Sequence, residues 1–195
     1  MKKVAVLFAR SDSIYKTIPV CDVYDKERDA RNFTGGMPVI CHPPCRAWGR
    51  LRAFAKPEPG EMDLARWSVQ LVRQFGGVLE HPETSVLWKE QGLPLGLEVD
   101  KFGGYTVSVD QFWWGHKARK RTWLYIVGID RSELPIVPIR FDAITHTISS
   151  TMRRGRAKPQ TTKAEREHTP QKFAEWLVSV AESIEINLTR AYAHK

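Results

Sequence analysis

The chain has few cysteines and no long apolar segment, and both absences narrow the kind of protein it can be. Three cysteines among 195 residues cannot form a disulfide framework, so we expect free thiols in a reducing compartment. No run approaches the roughly 18 to 20 apolar residues that cross a bilayer, and only six apolar residues stand between Lys3 and Arg10. We therefore expect a cytoplasmic protein that has no membrane partner.

Acidic residues are fewer than basic ones, and the basic excess is clustered. The formal net charge is +8, and residues 117–121 and 153–158 each contain four Lys or Arg side chains. Clusters of this kind attract polyanions, so nucleic acid is the partner that the composition favours. A solvated surface loop is the alternative for the second cluster, because charge runs often have no other role.

Short apolar runs alternate with amphipathic segments along most of the chain. The runs predict buried strands over 4–9, 37–41, 78–79 and 123–129, with 20–24 and 105–109 nearer the sheet edges. Residues 62–75 have the spacing of one helical face and end at a Gly-Gly pair, and a second helix is predicted to begin at Thr169-Pro170. This pattern predicts a single α/β domain over 1–195 that is Rossmann-like, with a mostly parallel sheet and helices on both faces.

Three short motifs follow or adjoin the predicted strands, where ligand sites of such sheets lie. The first contains Cys45, and the two prolines before it stiffen the loop and aim the thiol. Nearby His42 and Arg46 place positive charge that favours the thiolate, the form that attacks. The alternatives are a buried structural cysteine, and a metal site built from Cys41, His42, Cys45 and His81.

The second and third motifs supply a carboxylate and two guanidinium groups. Glu80 at a strand end is costly to desolvate, so it is expected either to stay protonated or to bind an amino group, with a local salt bridge as the alternative. Arg119 and Arg121 are two residues apart and share one side of an extended chain, where they can bind a base oxygen or a phosphate. Surface solvation is the alternative for this pair.

Taken in order, these motifs resemble the core of the DNA cytosine-5 methyltransferases over roughly residues 4–129. Pro43-Pro44-Cys45 resembles their Pro-Pro-Cys loop, and Glu80-His81-Pro82 their Glu-Asn-Val or Glu-Asn-Pro motif. Residues 115–128 are similar to the Gln-x-Arg-x-Arg segment that leads into an apolar strand, with Lys117 where the family has glutamine. Asp22 to Lys26 is similar, more loosely, to the strand that carries the ribose-binding acid.

The resemblance implies covalent catalysis on cytosine. Cys45 is expected to add to C6, Glu80 to hold N3 and the exocyclic amine, and Arg119 to hold the base, while C5 takes a methyl group from S-adenosyl-L-methionine. Such a base must first leave the duplex stack. The implied substrate-binding residues are Pro44, Arg46, His81, Lys117 and Arg121, and the implied cofactor-binding residues are Phe8, Ala9, Asp22 and Asp25.

Besides Lys117, and His81 in place of the family's asparagine, two further features depart from the family pattern. The turn after the first strand, residues 8–13, contains no glycine, and residues 130–168 form only a short basic region in place of a target-recognition domain. This compact form is similar to phage and prophage proteins. It widens the expected substrate to DNA, RNA or a nucleotide, with a protein partner supplying specificity, and leaves as alternative a catalytically silent relative that binds nucleic acid or a host defence protein.

Overall fold

The structure, a computed structural model, describes residues 3–148 and 158–184. Six strands form one sheet in the order β2-β1-β3-β4-β6-β5. The strands are β1 (Val4–Leu7), β2 (Cys21–Tyr24), β3 (Val39–Cys41), β4 (Gly77–Pro82), β5 (Tyr105–Asp110) and β6 (Arg121–Val127). The described helices are α1 (Glu61–Phe75), α2 (Leu87–Glu90), α3 (Lys163–Glu167) and α4 (Gln171–Glu182). The α/β class is therefore confirmed, and β2 and β5 are the two edge strands, as the sequence predicted.

The sheet is mixed, which corrects the expectation of a mostly parallel one. Pairs β1·β2, β1·β3 and β3·β4 are parallel, whereas β6 runs antiparallel to both β4 and β5. The reason is the short connection between β5 and β6, residues 111–120, which contains one 3₁₀ turn and no crossover helix. Parallel neighbours need a crossover of a dozen or more residues, so two consecutive strands joined this closely pair antiparallel.

Helix α1 (Glu61–Phe75) covers one face of the sheet. Its apolar stripe places Ala65, Val69 and Val72 against the core, two acidic residues lie in its first turn, and the chain leaves the helix at Gly76 with φ +74°. Gly77 then begins β4 so close to β3 that a Cβ atom there would lie 2.0 Å from the Val39 carbonyl oxygen. Glycine is thus required at the start of the strand that carries Glu80.

Helix α4 (Gln171–Glu182) covers the other face. Pro170 directly precedes it, and Phe173, Leu177 and Val180 are fully buried against the sheet together with Ile184 beyond the helix end. Burying a side chain of this size contributes about 1.5 to 3 kcal/mol. The two helices therefore fix the sheet from both sides, and the strand ends that carry the sequence motifs stay accessible.

The region after β6 contributes one further helix near those strand ends. An extended stretch follows a 3₁₀ turn at Arg131–Glu133, a single β-bridge joins Thr147 to Gln160, and α3 (Lys163–Glu167) precedes α4. The second basic cluster, 153–158, lies outside the described residues except for Lys158. Within the described chain, no helix is both long and apolar enough to span a bilayer.

Candidate active site at the ends of the parallel strands

A cavity of about 620 Å³ lies beyond the carboxyl ends of β1, β3 and β4. From β1 the chain passes to β2 on one side and later to β3 on the other, which makes a topological switch point between β1 and β3. Open α/β sheets bind ligands at such points, and the volume is in the range of small-molecule sites. Its lining includes Tyr15, His42, Cys45, Glu80, Lys120, Lys163 and Arg166.

Cys45 lies in this cavity, on the loop after β3, and has solvent-exposed surface. The alternative of a buried structural cysteine applies instead to Cys41, which is fully buried in the sheet. Crowding by the cavity walls and then the negative charge of Glu80 raise the pKa of the Cys45 thiol, while Lys120 opposes that rise. The expected activation by Arg46 is absent, because its guanidinium Nε lies 2.8 Å from Glu61 and is paired with it.

Glu80 is held by a chain of hydrogen bonds that begins at a buried tyrosine. His42 Nδ1 lies 3.1 Å from Glu80 Oε2, and His42 Nε2 lies 3.1 Å from the hydroxyl of Tyr15, whose ring packs on the imidazole. A neutral imidazole protonated on Nδ1 satisfies both bonds: it donates to the carboxylate and accepts from Tyr15. Burial keeps the Tyr15 phenol protonated by raising its pKa well above the ordinary value.

The carboxyl of Glu80 is ionised in this setting. Its burial opposes ionisation, but the hydrogen bond from His42 and the positive charge of Lys120 outweigh it and lower the pKa of Glu80 to about 2. On the other side, Gln111 Nε2 donates to Glu80 Oε1 at 3.1 Å and to Thr122. The lowered pKa favours an ionised carboxylate over the protonated acid, and the partners of Glu80 are His42 and Gln111 rather than the local Arg or Lys of the salt-bridge alternative.

Lys120, between the two arginines singled out from the sequence, is the member of the 117–121 cluster that lines the cavity. Arg119 and Arg121 are each largely exposed, and neither lines the cavity. Arg119 faces Asp110 at 3.7 Å, and Arg121 pairs with Glu83 at 2.7 Å. Alternation along an extended chain explains the outcome, since residues flanking Lys120 must point to the opposite side.

Two further predicted substrate contacts also lie away from the cavity. Lys117 pairs with Glu165 of α3 at 2.5 Å. His81 is fully buried beside Trp88 on the α1 side of the sheet, because alternation along β4 turns it away from the face of Glu80. Burial lowers the pKa of His81 to about 4, against the opposing charge of Glu80, and its ring nitrogens make no hydrogen bond of normal geometry with other described residues.

A second cavity of about 440 Å³ adjoins the first and shares with it Phe8, Ala9, Pro44 and Arg46. Phe8 has φ +61°, so this bulky residue adopts the left-handed conformation in the turn where the sequence offers no glycine. Of the predicted cofactor contacts, Phe8, Ala9 and Asp25 line the second cavity, whereas Asp22 lines neither and is bound to Arg28. The predicted substrate contacts Pro44 and Arg46 lie where the two cavities meet.

Asp25 differs from a free ribose-binding acid because both of its oxygens already accept hydrogen bonds. Lys16 donates to Oδ2 at 2.6 Å, and the backbone N–H groups of Glu27 and Arg28 donate to Oδ1 at 3.0 Å. These bonds, that of Lys16 first, lower the pKa of Asp25 to about 2. The carboxylate therefore closes the turn after β2 and forms part of the wall of the second cavity.

Sequence reasoning missed Tyr15, Gln111, Lys120 and the wall formed by α3. Alternation through 119–121 separates Lys120 from the two arginines, but only the pairing of β6 in the sheet decides which of them faces the cavity. Tyr15 and Gln111 lie in 3₁₀ turns with no motif of their own, so nothing short of the fold brings them to Glu80. No group of three or more His, Cys, Asp or Glu side chains suited to a metal occurs within 3–148 and 158–184.

The motif resemblance has no counterpart in wider sequence comparison. Neither a protein-family model nor a curated protein matches this chain significantly. The case for function therefore rests on the geometry of the two cavities.

Proposed function

We propose that this chain modifies C5 of a pyrimidine base, cytosine first, through covalent attack by Cys45, most simply by methyl transfer from S-adenosyl-L-methionine. The observation that carries the proposal is the shared lining of one cavity by a thiol, a carboxylate held ionised and an ammonium group: Cys45, Glu80 and Lys120. We also propose that the domain is Rossmann-like, which is supported by the switch point between β1 and β3 and by a helix on each face of the sheet.

In this proposal Cys45 forms the bond that activates the ring. The thiolate adds to C6, and the electron pair displaced from the C5–C6 double bond spreads over the ring towards O2 and N3. Lys120 takes the place expected of Arg119: it holds the base at its oxygen and stabilises the developing charge there. Glu80 accepts a hydrogen bond from the exocyclic amine. Once C5 has bonded to the methyl carbon, whose bond to the donor sulfur breaks to leave a neutral thioether, transfer of the C5 proton to water would restore the double bond and release the thiolate.

The raised pKa of the Cys45 thiol fits a nucleophile that becomes reactive when substrate binds. Part of the rise comes from the charge of Glu80, and a hydrogen bond from the substrate amine to Glu80 would partly neutralise that charge. The pKa of Cys45 then falls as the base is bound. Attack is thereby coupled to occupancy of the cavity.

The second cavity suits the methyl donor of the proposed reaction. It meets the first at Phe8, Ala9, Pro44 and Arg46, so that groups bound in the two can come into contact. Its described lining carries four carboxylates and three cationic side chains, which suits a ligand with a positive centre such as a sulfonium. S-adenosyl-L-methionine, when bound, supplies the methyl group, and Phe8 and Ala9, which line both cavities, would hold it.

The experiment is a product assay on cytosine-containing single-stranded DNA, duplex DNA and free nucleotides, with 5-methylcytosine measured by mass spectrometry. Wild-type protein should form product on at least one substrate. Cys45→Ala should abolish it, while Cys21→Ala, a half-buried thiol outside both cavities, should retain it. Product from Cys45→Ala, or none from any protein with a donor shown to bind, contradicts the proposal.

A catalytically silent relative that binds nucleic acid or a host protein is the second candidate. The occupied oxygens of Asp25, which leave no free acid for a cofactor ribose, favour it. Thermal unfolding with added S-adenosyl-L-methionine separates the two functions. A clear rise in melting temperature supports the enzyme, whereas no shift, with nucleic-acid binding that survives Cys45→Ala and Glu80→Ala together, supports the silent relative.

A further inference from the structure

Helix α3 forms a wall of the same cavity that contains Cys45 and Glu80. Lys163 and Arg166, one helical turn apart, both line it, as do His168 and Thr169 just after the helix. This wall comes from the region that stands where a target-recognition domain was expected. It therefore shapes what the cavity can accept.

The wall is fixed to the body of the protein by its own carboxylates. Glu165 caps its helix and pairs with Lys117, and Glu167 lies 2.5 Å from Arg10 in the turn after β1. His168 Nε2 lies 2.9 Å from Asp12, in that same turn. Both acidic side chains of α3 are thus engaged in anchoring the helix.

The two cationic side chains of α3, unlike its two carboxylates, have no close partner of opposite charge among the described residues. Lys163 is highly exposed and reaches Glu167 only at 3.9 Å. Arg166 donates to the backbone carbonyls of Ile148 and Thr161, and no carboxylate pairs with it among the described residues. Of the five Lys or Arg side chains in the lining, Arg10 and Arg46 are paired with carboxylates. Among the described residues, Lys120, Lys163 and Arg166 have no close carboxylate pair, so this part of the cavity has an excess of positive charge.

We propose that Lys163 and Arg166 form a phosphate subsite, so that the cavity takes a pyrimidine nucleotide whose base meets Cys45 and Glu80 and whose phosphate is bound on α3. The assignment of the base end rests on the proposed function; the assignment of the phosphate end rests on the cavity and its charges alone. A guanidinium and an ammonium are the groups that bind phosphate in proteins. The phosphate belongs either to a free nucleotide or to a nucleic-acid strand.

Calorimetric titration with deoxycytidine and with deoxycytidine 5′-monophosphate tests the subsite. The monophosphate should bind about tenfold or more tighter, since it adds charge-assisted hydrogen bonds to a solvent-accessible site. Lys163→Gln, which disturbs only a long contact, should remove most of that preference, and Arg166→Lys should retain it in part. Lys89→Gln with Lys172→Gln, both exposed and outside the two cavities, is the matched control and should change nothing.

A cytosine-containing single-stranded oligonucleotide distinguishes the two sources of phosphate. Tight binding that depends on Lys163 supports the subsite with a strand as its ligand, and binding of the monophosphate alone supports it with the free nucleotide. Equal affinity for nucleoside and monophosphate, binding of neither, or a preference that survives Lys163→Gln overturns it. Phosphate-dependent binding without methylated product instead rejects the proposed function and leaves the subsite standing.

Discussion

The single residue on which the candidate site depends most is Glu80, because it influences each of its neighbours. Its charge is stabilised by His42 and Lys120, and that same charge raises the pKa of Cys45. Sequence alone indicated Cys45 and Glu80, since a motif marks each of them. It could not indicate Tyr15 or Gln111. Tyr15 contacts His42, which is 27 positions away in the chain, and Gln111 contacts Glu80, which is 31 positions away, so only folding brings these partners together.

Neutralising Glu80 is predicted to make Cys45 more reactive, not less. In Glu80→Gln the repulsion between carboxylate and thiolate is lost, so the pKa of the thiol falls and the rate of alkylation by iodoacetamide at mildly alkaline pH rises about two- to fivefold. The measurement is made with Cys21 replaced by Ser, and Cys41 is fully buried. Glu83→Gln, which removes a carboxylate paired with Arg121 outside the cavity, is the control. A slower reaction of Glu80→Gln would show that Glu80 acts on Cys45 as a base.

At the scale of elements, sequence patterns predicted the helices and strands whose formation depends mainly on neighbouring residues in the chain. The apolar spacing of 62–75 and the Thr169-Pro170 start led to α1 and α4, and apolar runs led to all six strands with boundaries shifted by a few residues. The direction of β6 was missed because it depends on the length of the connection from β5 and on pairing with β4, neither of which has a periodic signal. The sequence singled out Arg119 and Arg121 rather than Lys120 for a related reason, since which side of the strand faces the cavity depends on that pairing.

Gly77 is predicted to be the most sensitive glycine of the parallel half. A Cβ atom in Gly77→Ala would meet the backbone of Val39 at 2.0 Å, and φ there is +135°, so β3 and β4 would have to separate. We expect a loss of about 3 kcal/mol or more in the free energy of unfolding, measured by urea denaturation. Gly92→Ala, with φ +56° and open space around the added atom, should cost only about 1 kcal/mol. Equal losses for the two variants would contradict the close approach of β3 and β4.

At the scale of the whole molecule, the protein is basic overall, yet its stability depends on a few carboxylates. Asp25, Glu80 and Glu165 each have a pKa lowered to about 2, from ordinary values of 3.8 for Asp and 4.5 for Glu. Lys16 of the 3₁₀ turn Ile14–Thr17 donates to Asp25, and His42 of the loop after β3 donates to Glu80. Lys117 of the connection before β6 donates to Glu165 of α3. The same charged side chains therefore stabilise the fold and support the walls of the two cavities.

Stability is predicted to fall in two stages as the solution is acidified. The pKa of buried His81 is lowered to about 4 from 6.5, so the unfolded chain binds the additional proton and stability declines between those values. The three carboxylates stabilise the fold above about pH 4.5 and lose that contribution as pH falls towards 2. Urea midpoints measured across this range should show both stages, and His81→Leu should lack the first. A midpoint that does not change between pH 6.5 and 4 would contradict the buried, neutral state of His81.

The covalent step is tested most directly by a substrate that cannot complete it. Fluorine at C5 of cytosine cannot leave as a cation, so a base attacked by Cys45 and alkylated at C5 stays bonded to the protein. With S-adenosyl-L-methionine present, we predict an adduct with a 5-fluorocytosine nucleotide or oligonucleotide, mapped by peptide mass spectrometry to Cys45, and absent in Cys45→Ala. A protein that binds both substrate and donor yet forms no adduct, or forms it at Cys21, would contradict the account.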